Sequence, residues 1–216
     1  MQRNYSIDIL KIICAVLVVF IHAEYAYKDL VLPLTRCAVP CFFMISGYLM
    51  YKEEMQSSIV KSLKRISLIT LWSSLTFYFF SAIVVSHNLG LVFPSKQDLF
   101  NLVLFNDYPF AFHLWYLYAY IYVLIITFVF NRCHKINWLF YLIPILLIGD
   151  LCFGKYSLLL WGREFNYLYV RNFLFVGLPY FSLGMLLRRY DNKLLYVRLL
   201  QWGGGNCIFC NLFDGV

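Results

Sequence analysis

Residues 7–27 read IDILKIICAVLVVFIHAEYAY, an apolar stretch that contains Lys11 and His22. A run of about 20 apolar residues is long enough to cross a bilayer as an α-helix. Ten uncharged residues separate the lysine from the histidine, so both ionisable groups would lie in one membrane helix. Such groups are costly in a bilayer and normally face a bundle interior or a water-filled cavity. The stretch therefore predicts a membrane protein with a functional site on its first helix.

The composition extends this prediction to the whole chain. Of its 216 residues, 62% are hydrophobic and 13% are charged, whereas soluble domains are about 45–50% apolar. The apolar residues are concentrated in six stretches, at about 7–27, 37–51, 66–86, 113–130, 137–153 and 167–187. We therefore predict an all-α fold, a polytopic bundle of about six transmembrane helices. The seven cysteines lie mostly within or beside apolar segments, which favours a packing role over a disulfide framework.

The distribution of charge predicts the orientation in the membrane. Eleven basic residues fall on one side of the predicted spans: Arg3, Lys52, Lys61, Lys64, Arg65, Arg132, Lys135, Arg188, Arg189, Lys193 and Arg198. Five fall on the other side: Lys28, Arg36, Lys96, Lys155 and Arg163. Cytoplasmic loops are enriched in Lys and Arg, so the N-terminus is predicted to be cytoplasmic. Because the net charge of +7 is spread over short loops and not over one soluble face, nucleic acid is not a predicted partner.

The ionisable residues of the first helix each have a functional and a structural interpretation. His22 is the strongest candidate for a general base, because imidazole changes protonation near neutral pH. The alternative is a neutral histidine hydrogen-bonded between helices. Lys11 lies three residues after Asp8, so the two share a helix face and would neutralise each other near the inner boundary. Lys11 and His22 are about 16 Å apart along the helix axis and would mark two ends of one cavity.

The second span contains further polar candidates. Arg36 precedes Pro40, and Pro33 lies upstream, so an irregular entry to this helix is expected. Arg36 would bind an anion or a sugar hydroxyl, or else anchor the helix at the interface. Ser46 and Gly47 would permit close approach of the backbone to a partner helix or a ligand.

A basic cluster precedes the third span; it consists of Lys61, Lys64 and Arg65. It is explained by the enrichment of positive residues in cytoplasmic loops. Alternatively, it contacts the phosphates of a cytoplasmic cofactor, since lysine and arginine are suited to that role.

Other candidates lie at the predicted outer boundary. His113 opens the fourth span on the same side as His22, and Trp115 fits an aromatic belt. Arg171 and Asn172 form a polar pair near the start of the sixth span. The stretch from Gln97 to Phe105 is amphipathic and is predicted to lie as a helix at the surface.

The end of the chain differs from the rest. Residues 1–200 are predicted to form an integral membrane domain, and residues 201–216 (QWGGGNCIFCNLFDGV) an irregular tail produced by truncation or a frameshift. The tail contains Cys207 and Cys210 in CxxC spacing, but a single pair does not predict a metal or redox site.

Four of these stretches, taken in chain order, resemble motifs of membrane-bound acyltransferase family 3. They are the lysine, ten residues and histidine of 11–22, the motif VPCFFMISGYL at 39–49 followed by the basic pair at 64–65, HLWYL at 113–117, and RNFLFVGLPYFSLG at 171–184. The last is similar to a stretch in the branch that acetylates surface polysaccharides such as enterobacterial common antigen.

The resemblance implies acyl transfer across the cell (inner, cytoplasmic) membrane by a multi-pass enzyme. The acyl group, often acetyl from acetyl-CoA, would pass to a hydroxyl of an envelope glycan or lipid-linked sugar, without a metal. His22 would be the catalytic histidine, and Lys11, Lys64 and Arg65 would hold the donor. The implied pocket residues are Arg36, Ser46, His113, Trp115, Arg171 and Asn172.

Two departures from the family pattern affect this expectation. Some members have acidic residues just after the tryptophan motif, where this chain has Tyr118-Ala119-Tyr120, so no carboxylate partner for His22 is supplied there. Members usually have about ten spans, so six predict a C-terminally truncated bundle of lowered or absent activity. A transporter or membrane sensor, and an inactive fragment, are the alternative interpretations. The sequence does not identify the acceptor, the acyl chain or the oligomeric state.

Overall fold

The computed structural model describes residues 5–25, 27–85 and 93–191. These residues form helices and no strand, which confirms the all-α prediction. The helices are α1 Tyr5–His22, α2 Lys28–Arg36, α3 Ala38–Met50, α4 Met55–Phe80, α5 Lys96–Phe105, α6 Trp115–Arg132, α7 Ile136–Asp150, α8 Ser157–Trp161 and α9 at residues 178–191. The predicted tail at 201–216, with its CxxC pair, lies outside the described residues.

Five helical stretches within the described residues are long and apolar enough to cross a membrane. They are Tyr5–His22, Lys28–Met50, Met55–Ile83, Phe112–Arg132 and Ile136–Lys155. The sixth predicted span does not begin as a regular α-helix at residue 167. Residues 167–169 form a 3₁₀ turn, and a π turn at Phe173–Gly177 leads into α9. Since α9 ends in cations at 188 and 189, its apolar part is shorter than the span predicted at 167–187.

The second and third spans begin earlier than the hydropathy pattern predicts. The second includes α2, which joins α3 at Cys37 and has Pro33 inside it, so the predicted irregular entry is a short helix. The third starts at Met55 and not at residue 66, so the basic cluster lies on α4. Lysine, arginine and glutamine are good helix formers, so the polar residues that precede the apolar stretch of α4 still belong to the helix.

Helix α5 confirms the helix predicted between residues 97 and 105. The Asp98 N–H donates to the Ser95 hydroxyl at 3.1 Å, and the Ser95 N–H donates to the Asp98 carboxylate at 2.8 Å. This reciprocal pair is a capping box, which satisfies two otherwise unpaired donors at a helix start. The helix ends at Asn106, whose φ of 54° lies in the left-handed region that is common after a helix C-terminus.

The core lies where α3, α6 and α9 meet. A Cβ at Gly47 would collide with the backbone carbonyl of Phe181, and one at Gly184 would collide with that of Met44. Glycine at both positions therefore allows α3 and α9 to touch through their backbones, as small residues do in membrane helix pairs. This confirms the close approach predicted at Gly47. Phe43, which packs beside this crossing, is fully buried.

Helix α1 lies at the side of the bundle. It packs against α2 and α3, and its only buried residue is Cys14. Most of its other large apolar side chains, such as Ile12 and Val19, are exposed. A bilayer of apolar lipid tails accommodates such a surface, which would be unfavourable in water.

The two ends of the bundle differ in composition. We call residues 51–56, 131–136 and 188–191 the basic end, and residues 22, 105–115 and 168–173 the histidine end. The α3–α4 and α6–α7 connections, both predicted to be cytoplasmic, lie together at the basic end with the end of α9.

Candidate functional site

The structure brings His22 and His113 together at the histidine end. His22 is the last residue of α1, and His113 lies in the 3₁₀ turn Phe112–Leu114 that precedes α6. Their ring centroids are 6.3 Å apart, although the residues are 91 positions apart in sequence. Both side chains are exposed, so a substrate can reach either imidazole.

Aromatic rings hold this histidine pair. The ring of Phe77 on α4 lies 4.6 Å from the His113 ring, edge to face. The ring of Phe112 lies 5.9 Å from His22 and 5.7 Å from His113. Contacts of this geometry are favourable between aromatic rings and fix their orientation. Imidazole takes up and releases protons near neutral pH, so the pair is suited to general acid–base chemistry.

Lys11 lies near the other end of α1. Its ammonium group donates to the Asp8 carboxylate at 3.2 Å, which confirms that the two share a helix face. Eleven residues of an α-helix advance about three turns plus about 20°, so Lys11 and His22 also share a face, about 16 Å apart. Lys11 therefore cannot contact His22, and the two side chains would contact different parts of a bound ligand.

A small cavity lies beside the histidine pair. It is lined by Phe105, Asp107, Phe112, Trp115, Leu168 and Arg171, and its volume of about 10 Å³ is room for about one water molecule. The Trp115 side chain is only 6% exposed, and the Arg171 guanidinium carbon lies 4.6 Å from the centre of its indole ring. Trp115 and Arg171, both predicted as pocket residues, thus lie together at the lining of this small cavity.

Asp107 brings a carboxylate to this cavity. Partial burial raises the pKa of Asp107, the nearby Asp98 raises it further, and Arg171 acts in the opposite direction. Sequence reasoning did not select Asp107, because an aspartate that follows an asparagine after a helix is an ordinary loop residue.

Asn106 ties the cavity to the bundle. It is fully buried; its side-chain amide donates to the Trp115 carbonyl at 3.1 Å, and its side-chain oxygen accepts the Phe173 N–H at 2.9 Å. One side chain thereby joins the start of α6 to the turn that leads into α9. Sequence reasoning also missed this residue. The available signal was its position directly after an apolar helix, where asparagine often adopts the left-handed conformation.

Asn172 is placed next to the cavity but faces the backbone. Its side-chain oxygen accepts the N–H groups of Leu174 and Phe175 at 2.9 and 3.2 Å, and its amide donates to the Tyr169 carbonyl at 2.9 Å. These bonds cap the turn that opens the last helix. The structure therefore gives Asn172 a positioning role beside Arg171.

The remaining candidates of the second span separate from one another. Ser46 lies in the interior, with its hydroxyl beside those of Tyr116 and Tyr120. Arg36, at the end of α2, is exposed, and no ion pair or hydrogen bond of its side chain is found among the described residues. Arg36 is thus free to meet a ligand or a lipid headgroup.

The basic end has an open crevice of about 630 Å³. Its lining comprises Tyr51, Lys52, Glu53, Glu54, Met55, Gln56, Asn131, Ile136 and Arg188. The Arg188 guanidinium donates to the Tyr48 hydroxyl and to Asp191, both at 3.1 Å, and the Tyr48 hydroxyl donates to Asp191 at 2.6 Å. These bonds hold Arg188 at the edge of the crevice.

The predicted donor-binding cations on α4 lie elsewhere. Lys64 and Arg65 are exposed and do not line the crevice. Lys52 and Arg188, which the sequence analysis used only to orient the spans, do line it. No group of three or more His, Cys, Asp or Glu side chains suited to a metal ion is found in residues 5–25, 27–85 and 93–191.

Comparison with known proteins gives the family. The sequence model of a family described as an acyltransferase domain matches residues 4–210, nearly the whole chain. A serine/alanine racemase from Enterococcus gallinarum is 31% identical over 127 residues, which are 53% of this chain and 18% of the racemase. The chain thus spans less than a fifth of that relative. No solved structure matches. The membrane-length helices and the match over almost all residues together show that the chain belongs to the acyltransferase 3 family of membrane acyltransferases.

Proposed function

We propose that the chain is an O-acetyltransferase of the cytoplasmic membrane, which moves acetyl from acetyl-CoA to a hydroxyl of an envelope glycan or lipid-linked sugar. The observation that carries the proposal is the pair of exposed imidazoles of His22 and His113, 6.3 Å apart at the end of a membrane helix. Family membership supports acyl transfer as the reaction. The motif resemblance supports a hydroxyl as the acceptor and acetyl as the transferred group.

The proposed chemistry needs one general base. His22 accepts the proton of the acceptor hydroxyl as its oxygen attacks the thioester carbonyl, which forms the C–O bond. The C–S bond then breaks, and the departing thiolate takes the proton from the His22 imidazolium, so the histidine is restored. His113, on the other side of the gap, hydrogen-bonds the carbonyl oxygen as negative charge develops on it.

The donor would approach from the basic end, which is predicted to be cytoplasmic. Lys11, Lys64 and Arg65 on the helices, together with Arg188 at the crevice, would bind its phosphates, since ammonium and guanidinium groups form strong charge-assisted bonds with them. The distance of about 16 Å along α1 suits a long flexible donor arm that carries the acyl group to His22. Arg36, Ser46, Trp115, Arg171 and Asn172 would bind or position the acceptor side.

The test is transfer of radiolabelled acetyl from acetyl-CoA to an envelope glycan fraction in membranes. We compare the unchanged chain with His22→Gln and His113→Gln. The control is His134→Asn, which removes an exposed histidine at the basic end and keeps a residue that tolerates the φ of 56° found there. Loss of a general base lowers the rate by about 10²–10⁴-fold, so His22→Gln should nearly abolish transfer while His134→Asn retains it.

Two outcomes would contradict the proposal. Equal transfer by the unchanged chain and His22→Gln removes the general base from the mechanism. Absence of transfer combined with solute uptake that survives His22→Gln, but is lost in Arg36→Gln or Arg171→Gln, would favour the transporter alternative.

A further inference from the structure

We propose that Asp107 is an acceptor-binding and specificity-determining residue, which together with Arg171 recognises a hydroxyl of the acceptor sugar beside the histidine pair. The inference rests on the proposed function, because it assigns the acceptor side of the same site. It adds a residue that neither the motifs nor the family match assigns.

The cavity supplies the geometry. Asp107 and Arg171 line one small space whose other walls include Phe112 and Trp115. Small-molecule sites have this composition, in which apolar and aromatic walls surround a few convergent polar groups. Because the volume of about 10 Å³ admits one water-sized group, it takes a single hydroxyl of a sugar and leaves the ring outside.

The position of the cavity fits the reaction. Phe112 is a wall of the cavity and also contacts the rings of His22 and His113, at 5.9 and 5.7 Å. A sugar with one hydroxyl in the cavity would therefore present a neighbouring hydroxyl to the histidines across the Phe112 ring. The choice of the acylated hydroxyl then follows from which hydroxyl the cavity holds.

The Asp107 backbone is fixed before any ligand arrives. Its N–H donates to the Asn101 carbonyl at 3.3 Å, and the preceding Asn106 is clamped between α6 and the α9 turn. One residue further on, the Tyr108 hydroxyl donates to the Ser74 carbonyl at 2.8 Å. A binding group held in place by its supports loses little entropy when ligand binds.

The chemistry of the two charged groups is complementary to a hydroxyl. A carboxylate only accepts hydrogen bonds, and a guanidinium only donates them. A hydroxyl does both, so it can donate to Asp107 and accept from Arg171 at once. The Arg171 guanidinium is already oriented by the indole of Trp115 at 4.6 Å.

The loop after α8 contains matched controls. Glu164 is an exposed carboxylate in the loop after α8 and does not line the cavity. Arg163 lies over the ring of Phe165 at 4.8 Å, as Arg171 lies over Trp115, but it does not line the cavity. Glu164→Gln therefore controls for Asp107→Asn, and Arg163→Gln controls for Arg171→Gln.

The experiment measures steady-state transfer with an envelope glycan fraction as acceptor and acetyl-CoA as donor. Asp107→Asn and Arg171→Gln should each raise the half-saturating glycan concentration about tenfold, as expected for loss of a hydrogen bond to a charged group. The half-saturating acetyl-CoA concentration should not change, and Asp107→Glu should recover part of the loss. Glu164→Gln and Arg163→Gln should match the unchanged chain.

A binding measurement without donor separates this inference from the proposed function. The same glycan fraction is titrated against purified protein while tryptophan fluorescence is recorded. The Trp115→Phe variant identifies the part of the fluorescence change that comes from the tryptophan of the cavity. If glycan binding weakens in Asp107→Asn while the unchanged chain shows no acetyl transfer, the assignment of Asp107 is upheld and the proposed function is contradicted. Transfer that Asp107→Asn leaves unchanged overturns the assignment alone, and absence of glycan binding by the unchanged chain also overturns it.

Discussion

The histidine end and the basic end of the same bundle differ in the size and the charge of the space that each contains. At the histidine end, a cavity of about 10 Å³ has aromatic walls and one carboxylate, and a fully buried asparagine holds its frame. At the basic end, a crevice of about 630 Å³ is open and rich in charged side chains. A small site selects a small group by shape, whereas an open charged crevice has room for a larger polar ligand. The difference fits the proposed function, in which acceptor and donor would enter from opposite ends.

The largest effect is expected from Asn106→Gly, which should disable the histidine end alone. Glycine tolerates the φ of 54°, so only the side chain is lost. The Trp115 carbonyl and the Phe173 N–H then lose their partner, at about 1–3 kcal/mol each. Thermal unfolding in detergent should show the loss, and acceptor binding should weaken while donor binding is retained.

The control for that variant is Asn166→Ala. The Asn166 side chain accepts one exposed N–H, that of Leu168, so its loss should cost little. Equal destabilisation by the two variants would mean that the buried bridge does not hold the histidine end together.

The second prediction affects both ends at once. Gly47→Ala places a methyl group against the Phe181 carbonyl and forces α3 and α9 apart. Overpacking of this kind costs about 1–3 kcal/mol, occasionally more. Fluorescence-detected size exclusion should show less folded protein, and binding at both ends should weaken together.

Gly149→Ala provides the comparison, because its added methyl group meets only the movable side chain of Phe175. If Gly47→Ala were as stable as Gly149→Ala, the two ends would not share the α3–α9 crossing as a common support.

The third prediction concerns donor binding at the basic end. Arg188→Gln removes a cation from the crevice and should raise the half-saturating acetyl-CoA concentration about tenfold. Arg189→Gln should have little effect, since that guanidinium donates to Asn137 at 2.6 Å and does not line the crevice. A change in acceptor half-saturation, with none for the donor, would reverse the assignment of the two ends.

The smallest effect is expected from pH. Because burial raises the pKa of Asp107, its carboxylate protonates at a higher pH than an ordinary aspartate. Acceptor binding should weaken as pH falls through that pKa, and the same titration in Asp107→Asn should lack this transition. The raised pKa also means that Asp107 stabilises the fold only at low pH and that this contribution is lost as pH rises. At neutral pH, Asp107→Asn should therefore be no less stable than the unchanged chain, and a clear loss of stability would contradict the assignment.

The sequence by itself determined the class of fold and a few local features of the helices. Apolar run lengths gave the helical membrane bundle, because only helices satisfy the backbone within a run of that length in a bilayer. Helical periodicity placed Lys11 beside Asp8, and Gly47 predicted a close helix contact, although its partner Gly184 was identified only by the structure. These features depend on composition or on residues close in sequence, so they can be inferred from the sequence.

Only the tertiary structure decided which distant residues line the cavity and the crevice. His22 and His113 meet across 91 positions, and Asp107 joins Arg171 in one cavity because Asn106 binds both α6 and the turn before α9. In the same way, Lys52 and Arg188 line the crevice that the α4 cations do not. Such pairings depend on helix packing and on buried hydrogen bonds between elements, neither of which leaves a periodic signal in the sequence.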